Sequence, residues 1–232
     1  MTNVVIFDLD GTLLNTIEDI SDSLNIALSN EGYPTFDSET TKAFVGSGVN
    51  IMIERALKGQ EYDDKIFLRI KECYMKEYAV RQAIKTHPYN GTIDLLIKLK
   101  ELGLKIGLLS NKPHEDTLKV VDHYFGLDKF DIVLGQRPGI PVKPDPTALF
   151  ELLELFNSTK EETIFIGDSD VDMKTALNGG LKKIGVLWGF RTKKDLEENN
   201  ADYIVNSTDE IIKIIENLRK WLKALKELFL FK

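Results

Sequence analysis

Cysteine and histidine are scarce in this chain. Its 232 residues include one cysteine, Cys73, and three histidines. A disulfide framework cannot form within the chain, and a paired-cysteine zinc site is excluded. A lone cysteine is typical of a protein in a reducing compartment, so we expect a cytoplasmic location and interpret Cys73 as a residue on a helix face.

Long apolar runs are missing as well. No stretch reaches the ~18 consecutive apolar residues that a membrane-spanning helix requires. The N-terminus has no basic segment followed by an apolar run, so a signal peptide is not expected either. We therefore predict no membrane partner.

Positive charge is outnumbered by negative charge. Lys and Arg total 30 against 37 Asp and Glu, which gives a formal net charge of −7. Nucleic acid is therefore not expected as a partner. An acidic protein that binds anions needs a local positive charge or a metal ion, and the sequence offers candidates for both.

The chain begins with a short apolar strand that is separated from the next one by a long insert. Strands are predicted at Val4–Leu9 and Lys105–Leu109, with more than ninety residues between them. A simple crossover needs far fewer. The insert shows helical periodicity and ends near Thr86–Gly91, the expected return hinge. We predict a helical cap domain over 16–85 and a discontinuous core domain over 1–15 and 86–232.

Helices and strands alternate after the insert, which favours a doubly wound, Rossmann-like α/β fold with a parallel sheet. Helices are predicted at 92–102, 115–124, 146–156 and 171–178, and further strands at 132–134, 163–167, 183–187 and 203–205. The C-terminal segment is amphipathic and is expected to cover the sheet. Its apolar stripe consists of Ile211, Ile214, Ile215, Leu218, Leu222, Leu225 and Phe229.

Polar residues follow the predicted strands at their C-terminal ends, where ligands bind in open α/β sheets. Several carboxylates cannot share a small site as anions unless a cation neutralises them. Because every candidate ligand is an oxygen, Mg²⁺ is the favoured ion. The residues at these ends are Asp8, Asp10, Gly11, Thr12, Ser110, Asn111, Lys143, Asp168, Ser169, Asp170 and Asp172.

Asp8 and Asp10 are two residues apart, so on an extended chain both face the same side. One carboxylate can attack phosphorus to give an aspartyl-phosphate. The other can protonate the leaving oxygen and later deprotonate a water. Lys143, Mg²⁺ and the Ser110 hydroxyl would hold the phosphoryl oxygens. Each motif alone also fits a turn or a helix cap; their order, one at each strand end, favours a phosphoryl-transfer site.

Four segments resemble the motifs of the haloacid dehalogenase superfamily, in the superfamily's order: "FDLDGTLLNT", "LLSNKP", "VKPDP" and "IFIGDSDVDMKTA". The helical insert resembles that superfamily's cap, and its segment "FVGSGVNIMIERAL" is most similar to the phosphoglycolate phosphatase branch. The resemblance implies a Mg²⁺-dependent phosphatase that acts on a small phosphorylated metabolite, with 2-phosphoglycolate as the expected substrate.

The resemblance also implies a role for each motif residue. Asp8 would be the nucleophile and Asp10 the general acid and base. Ser110 would bind the transferring phosphoryl group, and Lys143 would balance its charge. The metal residues would be Asp8, Asp168, Asp10 through its main-chain carbonyl, and Asp172, which would support the metal's water shell or Lys143. The substrate-binding residues would be Gly11, Thr12 and Asn111 in the core and Gly46, Ser47 and Gly48 in the cap.

Other functions share parts of this pattern. A β-phosphoglucomutase-like phosphomutase or a pyrophosphatase would use the same chemistry. A non-catalytic module that senses Mg²⁺ and phosphate is a more distant alternative, because such a protein has no need of an acid at position 10. In the cap, Tyr33, Arg55 and Arg81 could reach a substrate carboxylate, although a structural role is the expectation for each. A monomer or a homodimer is expected.

Overall fold

The computed structural model describes residues 2–230, and their side chains as far as residue 220. A six-stranded parallel sheet forms its centre, in the order β5-β4-β1-β6-β7-β8. The predicted doubly wound α/β fold is therefore confirmed. The sheet strands are β1 (Val4–Phe7), β4 (Lys105–Pro113), β5 (Ile132–Gln136), β6 (Thr163–Gly167), β7 (Lys182–Val186) and β8 (Tyr203–Val205).

Strand β1 lies inside the sheet and is buried on both faces. It pairs with β4 on one side, from Val4 opposite Lys105, and with β6 on the other, from Val4 opposite Thr163. Alternate residues of a strand face opposite sides. Val5 and Phe7 accordingly pack into one apolar cluster, whereas Val4 and Ile6 pack into a second cluster across the sheet. Burial of both faces explains why the sequence of β1 is continuously apolar.

Helices cover both faces of the sheet. They are α5 (Thr92–Glu101), α6 (His114–Phe125), α7 (Thr147–Phe156), α8 (Asp170–Gly179), α9 (Lys193–Glu198) and α10 (Thr208–Leu230). Helix α9 is absent from the sequence prediction because its six residues are too few for a periodic apolar pattern. Its start is nevertheless marked by a capping box between Thr192 and Asp195.

Some predicted boundaries were wrong, and two of them matter for the site. Strand β1 ends at Phe7 rather than Leu9, so Asp8 follows it directly. Strand β4 continues to Pro113 rather than ending at Leu109, because polar residues with buried side chains extend it beyond the apolar run. Ser110 and Asn111 therefore lie within β4 and not after it.

The insert consists of α1 (Ile17–Asn30), α2 (Ser38–Lys42), α3 (Val49–Ala56) and α4 (Asp64–Arg81). These helices enclose an apolar cluster of their own, which includes Leu24, Ile53 and Tyr74. The two chain connections to the core pair as short antiparallel strands, β2 (Leu14–Asn15) and β3 (His87–Pro88). We refer to residues 16–85 as the cap and to the remainder as the core, following the predicted boundaries.

Helix α10 packs against the sheet at its beginning. Ile211 and Ile215 are fully buried in the same cluster as Val5 and Phe7, with Ile214 and Leu218 beside them. This agrees with the predicted covering role for the first part of the stripe. Leu222, Leu225 and Phe229, the remaining residues of that stripe, lie outside the described side chains. Within residues 2–230, no helix combines the length and the apolarity needed to cross a membrane.

Candidate active site

The predicted catalytic residues meet at the C-terminal edge of the sheet, beneath the cap. A cavity of about 50 Å³ lies there, enough space for a few water molecules. Its core wall contains Asp8, Asp10, Ser110 and Asn111, together with Lys112, Pro113 and Asp116. Its cap wall is mainly apolar and consists of Ile20, Val45, Gly46, Gly48, Val49, Met52, Tyr74, Met75 and Tyr78.

Three aspartates form a buried acidic group at the core end of this cavity. One carboxylate oxygen from each of Asp8, Asp168 and Asp172 lies within 4.8 Å of the others. Asp8 follows β1, Asp168 follows β6, and Asp172 lies in the first turn of α8. Because β1 and β6 are neighbours in the sheet, they bring the three carboxylates together. The Asp10 side chain is not part of this group. Its predicted contribution to metal binding is the main-chain carbonyl, which stays a prediction.

Lys143 is the cation nearest to this group. Its Nζ lies 2.8 Å from Asp8 Oδ1 and 2.7 Å from Asp172 Oδ1. Burial alone would lower the pKa of this ammonium, but the charges of Asp172 and Asp8 raise the pKa above its usual value. Lys143 therefore stays charged and bridges two of the three carboxylates.

One lysine does not compensate three carboxylates. Burial, followed by repulsion from Asp172, raises the pKa of Asp8 well above its usual value. The same two causes raise the pKa of Asp168 to about 7. Buried carboxylates with raised pKa values and no full counter-charge are what a divalent cation would stabilise. The residues present thus fit a hard cation with oxygen ligands.

The loop after β1 supports Asp168. Gly11 has φ +89°, and a Cβ at this position would lie 2.4 Å from Asp168 Oδ2, so a side chain cannot be accommodated. The Thr12 hydroxyl donates to Asp168 Oδ1 at 3.1 Å, and the backbone N–H of Phe190 donates to Oδ2 at 2.7 Å. Gly11 and Thr12 were predicted to bind substrate, which stays a prediction; in the structure both lie against Asp168.

Asp172 is fixed by the start of helix α8. Its Oδ2 accepts from the Ser169 hydroxyl at 2.6 Å and from the Ser169 N–H at 3.1 Å, in a capping box. Its Oδ1 is left for Lys143. The acidic residues at this helix start therefore do more than stabilise the helix dipole, because one of them is shared with the site.

Asn111 connects three segments around the cavity. Its side-chain oxygen accepts from the Lys143 N–H at 2.8 Å, and its amide nitrogen donates to the Lys143 carbonyl at 3.0 Å. The same nitrogen donates to the cap carbonyl of Gly46 at 2.9 Å. Asn111 thus holds both the lysine loop and the cap loop. Ser110, one residue earlier, lines the cavity, and its hydroxyl accepts from the Lys112 N–H at 3.1 Å.

The cap loop that contains Gly46, Ser47 and Gly48 is held by two arginines. Arg191, from the core, donates to the Lys42 carbonyl at 2.6 Å and to the Val45 carbonyl at 2.8 Å. Arg55, from the cap, donates to the Phe44 carbonyl at 2.9 Å and to the Ser47 hydroxyl at 3.0 Å. Gly46 and Gly48 line the cavity, whereas Ser47 lines an adjoining groove.

The sequence model of the haloacid dehalogenase-like hydrolase family matches residues 5–186. The chain belongs to this family. The match includes every residue of the acidic group and the whole cap, and it confirms the resemblance deduced from the four motifs.

Relatives of this chain carry the name phosphoglycolate phosphatase. The protein of Aquifex aeolicus is 28% identical over 214 residues, covering 92% of this chain and 97% of the relative. That of Nitrosospira multiformis is 30% identical over 215 residues, covering 91% and 95%. These similarities confirm the predicted class, a phosphoric monoester hydrolase of this family.

Solved structures show the same fold. A predicted phosphatase from Clostridium acetobutylicum has a TM-score of 0.85 at 27% identity, covering 94% of this chain and 99% of that one. A β-phosphoglucomutase from Clostridium difficile has a TM-score of 0.78 at 21% identity, covering 96% and 99%. At that identity the second likeness concerns the fold alone.

Two residues that the motif analysis did not select lie beside Asp10. Lys112 Nζ is 3.0 Å from Asp10 Oδ1 and 2.5 Å from the hydroxyl of Tyr78, a cap residue. Lys112 could have been found from its place in "LLSNKP", two residues after Ser110, had the strand been extended that far. Tyr78 carries no such signal, because its helical spacing is that of a core residue.

Proposed function

We propose that this protein is a Mg²⁺-dependent phosphatase that hydrolyses a small phosphomonoester through an aspartyl-phosphate on Asp8. The observation that supports this most directly is the buried group of Asp8, Asp168 and Asp172, bridged by Lys143, at the end of a cavity that also contains Asp10. Nucleophile, counter-charge and proton donor candidates thus share one small space.

Asp8 and Asp168 would hold the metal directly, the Asp10 carbonyl would add a ligand, and Asp172 would support the water shell. A bound Mg²⁺ supplies charge neutralisation for the phosphoryl oxygens and for the carboxylates. Lys143 shares that task from the protein side. Its position between Asp8 and Asp172 keeps the Asp8 oxygen in place as the phosphoryl group arrives.

In the first step an Asp8 carboxylate oxygen attacks phosphorus. The bond between phosphorus and the leaving oxygen breaks, and that oxygen takes the electron pair together with a proton from Asp10. Ser110 donates its hydroxyl to a phosphoryl oxygen, and Lys143 faces the charge that builds up there. The products are an alcohol and a phosphorylated Asp8.

In the second step Asp10, now ionised, takes a proton from a water molecule. The water oxygen attacks phosphorus, and the bond to Asp8 breaks with its electron pair returning to the carboxylate. Inorganic phosphate leaves, and Asp8 and Asp10 regain their starting states. The sum is hydrolysis of the ester by one water, and no other reactant is needed.

The cavity favours a small substrate, and 2-phosphoglycolate is the candidate that the names of the relatives support. We further propose that the protein works in the cytoplasm as a monomer or homodimer, without nucleic acid or membrane partners. The low cysteine content and the net charge of −7 support this assignment.

Phosphate release from p-nitrophenyl phosphate and from 2-phosphoglycolate, with Mg²⁺ and after EDTA, tests the proposal. We expect turnover of both, lost with EDTA, and a decrease in kcat of at least ~10³-fold in Asp8→Asn, because a nucleophile is removed. Asp202→Asn is the matched control: this carboxylate also pairs with a buried lysine, Lys183, but at the opposite edge of the sheet.

Full activity of Asp8→Asn would overturn the proposal that the reaction proceeds through an aspartyl-phosphate on Asp8. The same assay should include pyrophosphate, and β-glucose 1-phosphate with a bisphosphate activator. Release of phosphate from pyrophosphate, or formation of glucose 6-phosphate, at a higher kcat/KM than for 2-phosphoglycolate would favour the pyrophosphatase or mutase alternative.

A further inference from the structure

We infer that Lys112 of the core and Tyr78 of the cap are positioning residues, which together hold the Asp10 carboxylate for protonation of the leaving group when the cap is closed. This inference rests on the proposed function, in which Asp10 is the general acid. Neither residue is among the motif residues assigned above.

The contacts form a continuous path from cap to acid. Lys112 Nζ lies 2.5 Å from the Tyr78 hydroxyl oxygen, to which it donates, and 3.0 Å from Asp10 Oδ1. The same ammonium lies 4.4 Å from the centre of the Tyr78 ring, a favourable cation–π distance. Tyr78 therefore contacts Lys112 with both its hydroxyl and its ring.

The contacts of Lys112 with Asp10 and Tyr78 are buried, so water cannot replace them. The side chains of Lys112 and Asp10 are 4% and 14% exposed. A lysine so far from water needs an opposite charge and hydrogen-bond acceptors close by. Asp10 Oδ1 is itself buried, and among the described residues it accepts no well-aligned hydrogen bond. The ion pair with the Lys112 ammonium at 3.0 Å is therefore the contact that holds this oxygen.

The two partners of Lys112 belong to different parts of the molecule. Asp10 is a core residue after β1, whereas Tyr78 lies near the end of cap helix α4. Moving the cap away from the core removes the tyrosine hydroxyl and ring from Lys112. Closure over a substrate therefore completes the surroundings of the residue that fixes the acid.

A neighbouring residue provides a matched control. Tyr74 lies one turn earlier on α4, is equally buried, and stacks on Tyr78 with ring centres 5.6 Å apart. Lys112 donates to the Tyr78 hydroxyl. Tyr74→Phe and Tyr78→Phe each remove one hydroxyl from the same cap helix, and only the second removes an acceptor of Lys112.

The test uses two substrates of nearly the same size, phenyl phosphate and p-nitrophenyl phosphate. Phenolate is the more basic leaving group and needs the proton from Asp10, whereas p-nitrophenolate departs with little help. Because kcat/KM reports the steps up to departure of the leaving group, the ratio of the two kcat/KM values measures how well the acid is positioned. A loss of packing would lower both values equally.

We expect Lys112→Met to lower kcat/KM for phenyl phosphate by ~30-fold or more and for p-nitrophenyl phosphate by less than ~3-fold. The first loss is a part of the ~10²–10⁴-fold that a general acid contributes. Asp10→Asn should show the same selectivity more strongly. Tyr78→Phe should lower the phenyl phosphate value by ~5-fold, the size of one hydrogen bond. Lys112→Arg should restore part of the loss. Tyr74→Phe alters the cavity wall but no contact of Lys112, so it should leave the ratio of the two values unchanged.

Equal losses on both substrates in Lys112→Met, or equal behaviour of the two tyrosine variants, would overturn the inference. A loss on 2-phosphoglycolate alone would also overturn it and would make Lys112 a carboxylate-binding residue. If Asp10→Asn lowers kcat/KM equally for the two substrates, Asp10 is not the general acid and the proposed mechanism is wrong at that step. If Asp10→Asn lowers the phenyl phosphate value selectively and Lys112→Met does not, the positioning role alone fails.

Discussion

The core and the cap contribute to one cavity by different means. On the core side, charged residues follow strands whose spacing the sheet fixes, and each carboxylate of the acidic group has a defined partner. On the cap side, the wall is largely apolar and its loop is held through backbone carbonyls. The core thus sets the positions of the reacting charges, and the cap sets the shape and closure of the space above them.

Because the core and the cap differ in this way, we expect substitutions in the two parts to affect different kinetic constants. Changes in the core half should decrease kcat, because they alter charges that act on the phosphoryl group. Changes at the cap contacts should act mainly on KM and on closure, because they leave those charges in place. Variants of single residues in the core and the cap test whether effects on kcat and on KM separate in this way.

The largest effect is expected from Lys143→Met. Without the ammonium, Asp8 and Asp172 face each other unpaired in a buried site, and breaking such a pair costs about 3–5 kcal/mol of stability. We expect kcat to fall by ~10³-fold or more, since the charge that faces the phosphoryl oxygens is lost. Urea denaturation and steady-state kinetics measure the two effects.

Lys183→Met is the matched control for this variant. Lys183 is also buried and also pairs with an aspartate, Asp202, at 3.3 Å, but it lies at the N-terminal end of β7. We expect some loss of stability with an unchanged kcat. A comparable loss of kcat in both variants would show that general destabilisation, and not the charge at the site, explains the effect of Lys143→Met.

An intermediate effect is expected from Arg191→Gln. Arg191 joins the core to the cap carbonyls of Lys42 and Val45, so its removal should loosen closure. Two hydrogen bonds from a charged donor are lost, and we expect KM to rise by ~10-fold with kcat changed less than ~3-fold. Titration of substrate in the phosphate-release assay measures this.

Arg55→Gln sharpens the same comparison, because Arg55 holds the same loop from within the cap. It should shift KM less than Arg191→Gln does, since the contact between cap and core remains. If kcat falls in Arg191→Gln as strongly as in Lys143→Met, the contact between Arg191 and the cap controls the chemical step. The expected division, with core residues acting on kcat and cap contacts on KM, is then wrong.

The same division explains what could be predicted from the sequence. Motif residues that follow strands could be placed without a structure, because parallel strands end at one edge and bring Asp8 and Asp168 together. Strand β1 was predicted from its apolar run, which its burial on both faces explains. The polar end of β4 was missed, since hydrophobic patterning does not report a strand whose buried residues are polar.

The cap contacts could not be predicted in this way. Tyr78 and Ile20 have the spacing of core residues of their helices, and nothing local shows that they also face a cavity shared with the core. Arg191 lies outside the four motif segments. Its partners are carbonyls nearly 150 positions away in the chain, and backbone carbonyls carry no sequence signal.

The smallest change in activity is expected at the hinge, where cap and core meet. The Asp19 carboxylate, on α1, is buried and accepts from the backbone N–H groups of Lys85 and Thr86 at 3.0 and 2.8 Å and from the Thr86 hydroxyl at 2.7 Å. In Asp19→Asn an amide nitrogen replaces one of the accepting oxygens, so at least one of these donors is left buried and unpaired.

We expect Asp19→Asn to lower the free energy of unfolding by about 1–3 kcal/mol and to change kcat/KM by less than ~5-fold. Asp22→Asn, on the same helix, is the matched control. Asp22 pairs with the exposed Lys85 ammonium at 2.8 Å, and surface pairs of this kind contribute little. The hydrogen bonds that the Asp19 carboxylate accepts come from residues 84–86, which do not line the cavity. A decrease in kcat as large as that of Lys143→Met would therefore mean that hinge geometry, and not the local charges, limits the reaction.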